Sequence, residues 1–90
     1  MRGTKEFSNY NEYIEVKKEV GRRLRLARKM KNISVVEMGA MMNVSYQAVR
    51  KYEIGSTDIP ISRFVQYCTK IGVSPEQIMT DIVVNYRDAQ

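Results

Sequence analysis

Residues 34–55, SVVEMGAMMNVSYQAVRKYEIG, decide the fold, because two helix starts and two helix ends fall within this one short stretch. Ser34 with Glu37 three residues on matches a capping box, in which hydroxyl and carboxylate each accept from the other residue's backbone amide. The helix it opens carries Met38, Met41 and Met42 at helical spacing, a pattern that fits core filling by flexible, polarisable side chains. Asn43 tolerates the left-handed conformation that ends a helix. Apolar Val44 then precedes Ser45, a second cap, so a new helix starts only two residues after Asn43. The core side of that helix is Ala48, Val49 and Tyr52, which leaves Tyr46, Gln47, Arg50 and Lys51 pointing elsewhere, and Gly55 ends it.

Outward from this stretch the pattern stays helical. Upstream, Val16, Val20, Leu24 and Ala27 recur at spacings of four and three, and Asn11 with Glu12 and Glu15 resembles a capped start, so a helix is expected over 11–31. Gly21 is expected to weaken or divide it. Asn32 and Ile33 break the pattern. Downstream, a fourth helix begins near Pro60 or Ser62 and runs through Phe64, Tyr67, Cys68 and Ile71 to a stop at Gly72. A fifth opens with Ser74 as cap, Pro75 in the first helical position and Glu76 in the first turn, and carries Ile78, Met79, Ile82 and Val83 as an apolar stripe. The only strand-like run, DIVV at 81–84, is too short to compete. An all-α fold of five helices is therefore expected, with 1–10 a flexible N-terminus, 11–81 the folded domain, and 82–90 a C-terminal tail suited to dimerisation.

Composition narrows the chemistry. With 90 residues there is room for one domain, and an apolar fraction of 43% with 28% charged residues fits a globular protein. Histidine is absent, which removes the usual general base and the commonest metal ligand, and the lone cysteine, Cys68, falls in an apolar pattern where a buried thiol is the ordinary occupant. No catalytic residues, metal site or cofactor are expected, since no phosphate-cradling glycine loop or nucleophile with a base can be assembled. No run of eighteen apolar residues exists and the N-terminus lacks the apolar stretch of a signal peptide, so a cytoplasmic protein with no membrane partner is expected.

The net charge of +5 is uneven: residues 1–31 carry ten Lys or Arg against four Glu, whereas 32–90 carry five against six acids. A polyanionic partner is implied. Arg22, Arg25 and Lys29 lie along one face of VGRRLRLARKMK, residues 20–31, either as a solvated face or as phosphate contacts.

Two short helices, a turn of about three residues and polar side chains at the start of the second helix form a helix-turn-helix. A major groove about 12 Å wide accepts one helix, and its first turns come close enough to hydrogen-bond base edges. Double-stranded DNA is thus the expected partner, with residues 45–53 as the recognition helix. Gln47 can pair with the N6 and N7 edge of adenine, and Lys51 or Arg50 can donate to guanine O6 and N7. Tyr46 stays open between a thymine methyl, a phosphate, and a ring that covers the turn.

Residues 20–80 resemble the Cro/C1-type helix-turn-helix of phage repressors and bacterial XRE-family regulators, on VGRRLRLARK, the Ser34 cap, Met38 and Gly39, NVSYQAVRKYEIG and IPISRFVQYCTKIGVSPEQI. The resemblance implies a five-helix, lambda-repressor-like DNA-binding domain, here with an N-terminal helical extension. It also implies binding as a two-fold dimer, and transcriptional control by occupying an operator. Ser45, Tyr46, Gln47, Arg50 and Lys51 then take DNA-facing positions, and Arg28 pairs with Glu53. Three residues depart from the family pattern: Val35 stands where many members carry a phosphate-binding Gln, Ile54 replaces a common Asn, and Asp58 puts an acid in a loop that is often basic. The remaining phosphate contacts are the hydroxyls of Ser34 and Ser45, helix N-terminal amides, Ser56 and Thr57, with Arg22 and Arg25 from the first helix. The alternative is a protein-interaction module, or an antitoxin-like partner-binding protein, with reduced DNA binding, encouraged by Val35 and Asp58.

Overall fold

The structure, a computed structural model, describes residues 2–80 and 82, with side chains from residue 12 onward. Helices α1 (Arg2–Met30), α2 (Val35–Met42), α3 (Tyr46–Ile54) and α4 (Ile61–Ile71) are followed by a fifth helical segment, α5, over 75–80 and 82. No strand occurs among the described residues.

Helix α1 starts well ahead of Asn11. An established helix grows by one hydrogen bond for each residue it orders, and no proline stands between Arg2 and Asn11 to remove one. Gly21 does not divide it either. A Cβ there would lie 2.4 Å from the carbonyl oxygens of both Tyr52 and Glu53. The missing side chain is what lets the middle of α1 rest on the last turn of α3, so this glycine serves packing instead of breaking the helix.

The caps set the other boundaries. Ser34 Oγ accepts from Glu37 N at 3.0 Å while Ser34 N donates to Glu37 Oε1 at 2.8 Å. Ser45 Oγ accepts from Ala48 N at 3.1 Å. Asn43 ends α2 with φ of 59°, and Gly55 and Gly72 end α3 and α4 in the same left-handed region. Helix α4 begins at Ile61, with Pro60 in the cap position. Ser74 Oγ accepts from Glu76 N and opens α5.

One core gathers all five helices: Val20 and Leu24 from α1, Met38 and Met42 from α2, Val49 from α3, Phe64, Tyr67, Cys68 and Ile71 from α4, Ile78 and Ile82 from α5. Each fully buried Leu, Met or Val contributes about 1.5–3 kcal/mol. Ile82 is 4% exposed, so it belongs to this core and is not spare surface on a tail. Residues 83–90, the rest of the expected dimerisation segment, lie outside the described residues. Burial pushes the Cys68 thiol up to about 11, which keeps it protonated and inert at neutral pH. Arg63 and Gln66 of α4 both donate to the Met42 carbonyl, at 3.2 and 3.1 Å, and tie α4 to the end of α2.

Candidate nucleic-acid interface

Helix α3 presents one side to the core and the other to solvent. Val49 and Glu53 are buried, Ala48 and Tyr52 half-buried, and Tyr46, Gln47, Arg50, Lys51 and Ile54 exposed. At 100° per residue, Gln47, Lys51 and Ile54 (spaced i, i+4, i+7) form the stripe directly opposite the core, whereas Tyr46 and Arg50 fall on one flank. The Arg50 guanidinium lies over the Tyr46 ring, 5.9 Å from its centre. Tyr46 is 41% exposed and supports a cation as well as standing at the turn.

The start of α3 is fixed against α2. A Cβ on Gly39 would come within 2.9 Å of Val44 O and 3.1 Å of Tyr46 N, so the turn backbone packs directly on α2. Val44 N donates to Gly39 O at 2.9 Å.

The far end of α3 is held by a buried polar hub. Arg28 donates through Nε to Glu53 Oε2 at 2.8 Å and through Nη2 to Glu53 Oε1 at 2.9 Å, a two-pronged pair between α1 and α3. A third donor of Arg28 reaches Ile33 O at 2.6 Å. Tyr67 of α4 donates its hydroxyl toward Glu53 Oε2 at 2.5 Å and lies 3.2 Å from Leu24 O. Burial and the bond to Glu53 push the Tyr67 hydroxyl well above the usual tyrosine range, and the Glu53 carboxylate raises the Arg28 guanidinium, so both side chains keep their protons at neutral pH. No buried side-chain polar atom lacks a partner among the described residues. The exposed stripe of α3 therefore stands on a frame locked at both ends.

The candidate phosphate contacts separate into groups. Ser34 and Ser45 are exposed, and because each oxygen accepts from a backbone amide, the hydroxyl proton remains available to an incoming oxygen. Ser56 turns its hydroxyl toward Lys51 O at 3.5 Å, and the Ser56 and Thr57 amides share that carbonyl, at 3.1 and 3.4 Å. Thr57 borders an apolar pocket of about 300 Å³ with Val16, Tyr52, Phe64 and Met79, and the carboxylate of Asp58 beside it accepts the Tyr13 hydroxyl. Arg22 is held by Glu19 through Nε at 3.0 Å and Nη2 at 2.5 Å, and Arg23 Nε joins the same carboxylate at 2.8 Å. Arg25, one turn along, borders a dish of about 240 Å³ together with Arg28, Val35, Arg50, Glu53 and Ile54.

Sequence reasoning did not anticipate that Arg25 and Arg50 share a concavity, that Ile54 continues the stripe of Gln47 and Lys51, or that Tyr67 completes the Arg28–Glu53 hub. Of these, only the i, i+7 spacing of Gln47 and Ile54 is visible in the sequence.

A helix-turn-helix family model matches residues 24–78, the segment from the last two turns of α1 into α5. Among curated proteins, the chain is 35% identical over 63 residues to the uncharacterized HTH-type transcriptional regulator y4aM of Sinorhizobium fredii, an alignment covering 70% of this chain and 44% of that protein. It is 30% identical over 71 residues to the uncharacterized HTH-type transcriptional regulator y4wC of the same organism, covering 79% of this chain and 50% of that one. The chain thus spans about half the length of the curated relatives it matches.

Proposed function

The chain belongs to the XRE-type helix-turn-helix family, a DNA-binding and non-enzymatic class, and from that premise we propose that it is a dimeric repressor that reads a two-fold symmetric operator with α3. The observation that carries this reading is the outward stripe of α3: Gln47 and Lys51 are exposed on the side opposite the buried Val49 and Glu53, on a helix pinned by Gly39 at its start and by Arg28 at its end.

Gln47 offers a donor and an acceptor to an adenine edge, and Lys51 a point donor to guanine. Ser34 and Ser45 hydroxyls and the amides of the α2 and α3 N-termini meet flanking phosphates. A single domain of this size buries too little surface for operator-grade affinity, so two copies engage half-sites roughly 34–36 Å apart. Occupancy of the operator then excludes other proteins from the same DNA.

Selecting bound duplexes from a random pool with the purified chain is expected to return a motif with two-fold symmetry. A featureless pool would remove sequence-specific reading, and a single asymmetric half-site would remove the dimer. Gln47→Ala is expected to cost about 1–3 kcal/mol of discrimination at one base pair of each half-site. An equal loss on every duplex assigns Gln47 to the backbone instead.

A further inference from the structure

We propose that Arg25 and Arg50 together seat one backbone phosphate of the bound duplex in the dish between α1, α2 and α3, which makes Arg50 a residue of affinity and not of base choice. This rests on the DNA-binding reading above and adds the residues that replace a flanking contact on this side of α3.

The arginines of the molecule differ in what already occupies them. Among the described side chains, Arg22 and Arg23 share the Glu19 carboxylate, Arg28 is bound to Glu53 and Ile33 O, and Arg63 donates to Met42 O and Gln66. Among the described residues, Arg25 and Arg50 have no hydrogen-bond acceptor; the contact of Arg50 is the face of Tyr46. These two border the same dish of about 240 Å³, one from each helix. Its one carboxylate, Glu53, is 5% exposed and already engaged by Arg28 and Tyr67, so it does not offset the pair. The side chains of Val35 and Ile54 on the walls offer no acceptor. Two planar donor forks on an apolar-walled concavity fit a phosphodiester, which also relieves the repulsion between them.

Direction agrees with occupancy. Arg50 lies on the flank of α3 that faces α1, about 60° around the helix from Gln47, and the Tyr46 ring holds it there. Side chains on the outward stripe enter the groove, and those on the flank meet its edge, where the strand backbone runs.

The test is fluorescence anisotropy across a salt series, on a duplex taken from the selection and on a random duplex of equal length. The proteins are wild type, Arg25→Ala, Arg50→Ala, the double variant and Arg50→Lys. Arg25→Ala and Arg50→Ala are expected to lose roughly tenfold on both duplexes alike. The double variant should lose less than the product of the two, with the salt slope reduced by about one. Arg50→Lys should recover part of the loss, and all melting curves should overlay because these side chains are exposed.

A change in the ratio of selected to random binding for Arg50→Ala overturns the proposal, since it makes Arg50 a base reader. An unchanged salt slope in the double variant overturns it too. Inorganic phosphate that shifts the Arg25 and Arg50 side-chain NMR signals while duplex does not would assign the dish to a free anion. A wild-type chain that retains no duplex at any salt concentration brings down the DNA-binding reading itself, which is distinct from loss of the clamp alone.

Discussion

Arg22 and Arg28 stand on the same helix, and each holds a glutamate at hydrogen-bonding distance, 2.5 Å for Arg22 to Glu19 and 2.8 Å for Arg28 to Glu53. Their side chains are 59% and 7% exposed. The shorter contact ties a helix to its own next turn in water, where ions and solvent screen it and two mobile side chains lose freedom to make it. The longer one joins α1 to α3 in the interior and draws α4 in through Tyr67. Bond length ranks the two in the wrong order for stability. What counts is how much water each pair has lost and which elements it connects.

Glu53→Ala tests the buried side of this comparison and carries the largest expected effect. It leaves the Arg28 guanidinium buried without a counter-charge and should cost about 3–5 kcal/mol in urea unfolding, a large share of the roughly 5–15 kcal/mol available to a domain. Replacing both Arg28 and Glu53 with Met should recover most of it, and a double variant as unstable as the single one would mean that the pair itself stabilises the fold. Tyr67→Phe comes next, at about 1–3 kcal/mol, because it removes one donor to Glu53 and leaves the apolar packing of the ring in place.

The exposed pair gives the smallest effect. Arg22, and then Arg23, hold the Glu19 carboxyl down at about 2 from an ordinary 4.5. A carboxylate depressed in the folded state adds stability that is complete above about 4.5 and fades as pH falls toward about 2. Glu19→Ala should therefore lower the neutral-pH urea midpoint only slightly, because the pair is exposed, and the two midpoints should converge as pH falls from about 4.5 toward about 2. A loss at pH 7 as large as that of Glu53→Ala would show this pair to be worth as much as the buried one.

The same contrast explains what the sequence could reveal. Caps and stops are local: Ser34 with Glu37, Ser45, Asn43, Gly55 and Gly72 each act within a few residues, and their positions follow from chain order alone. The buried faces of α1 and α4 follow from helical spacing in the same way. Gly21 was misread because its role is set by Tyr52 and Glu53, more than a full helix away along the chain. The dish shared by Arg25 and Arg50 depends on the same crossing of α1 and α3 and was invisible for the same reason. The start of α1 before Asn11 escaped because a good cap sequence does not oblige a helix to begin there.

The tight seat of Tyr46 on Gly39 has a consequence for redesign. With no room for one extra carbon between them, α3 is seated directly on α2. If α3 reads an operator as proposed above, changed selectivity comes from swapping the exposed side chains at 47 and 51, and neither swap disturbs a buried atom. On that reading the molecule is a fixed holder with exchangeable type, suited to being reprogrammed letter by letter.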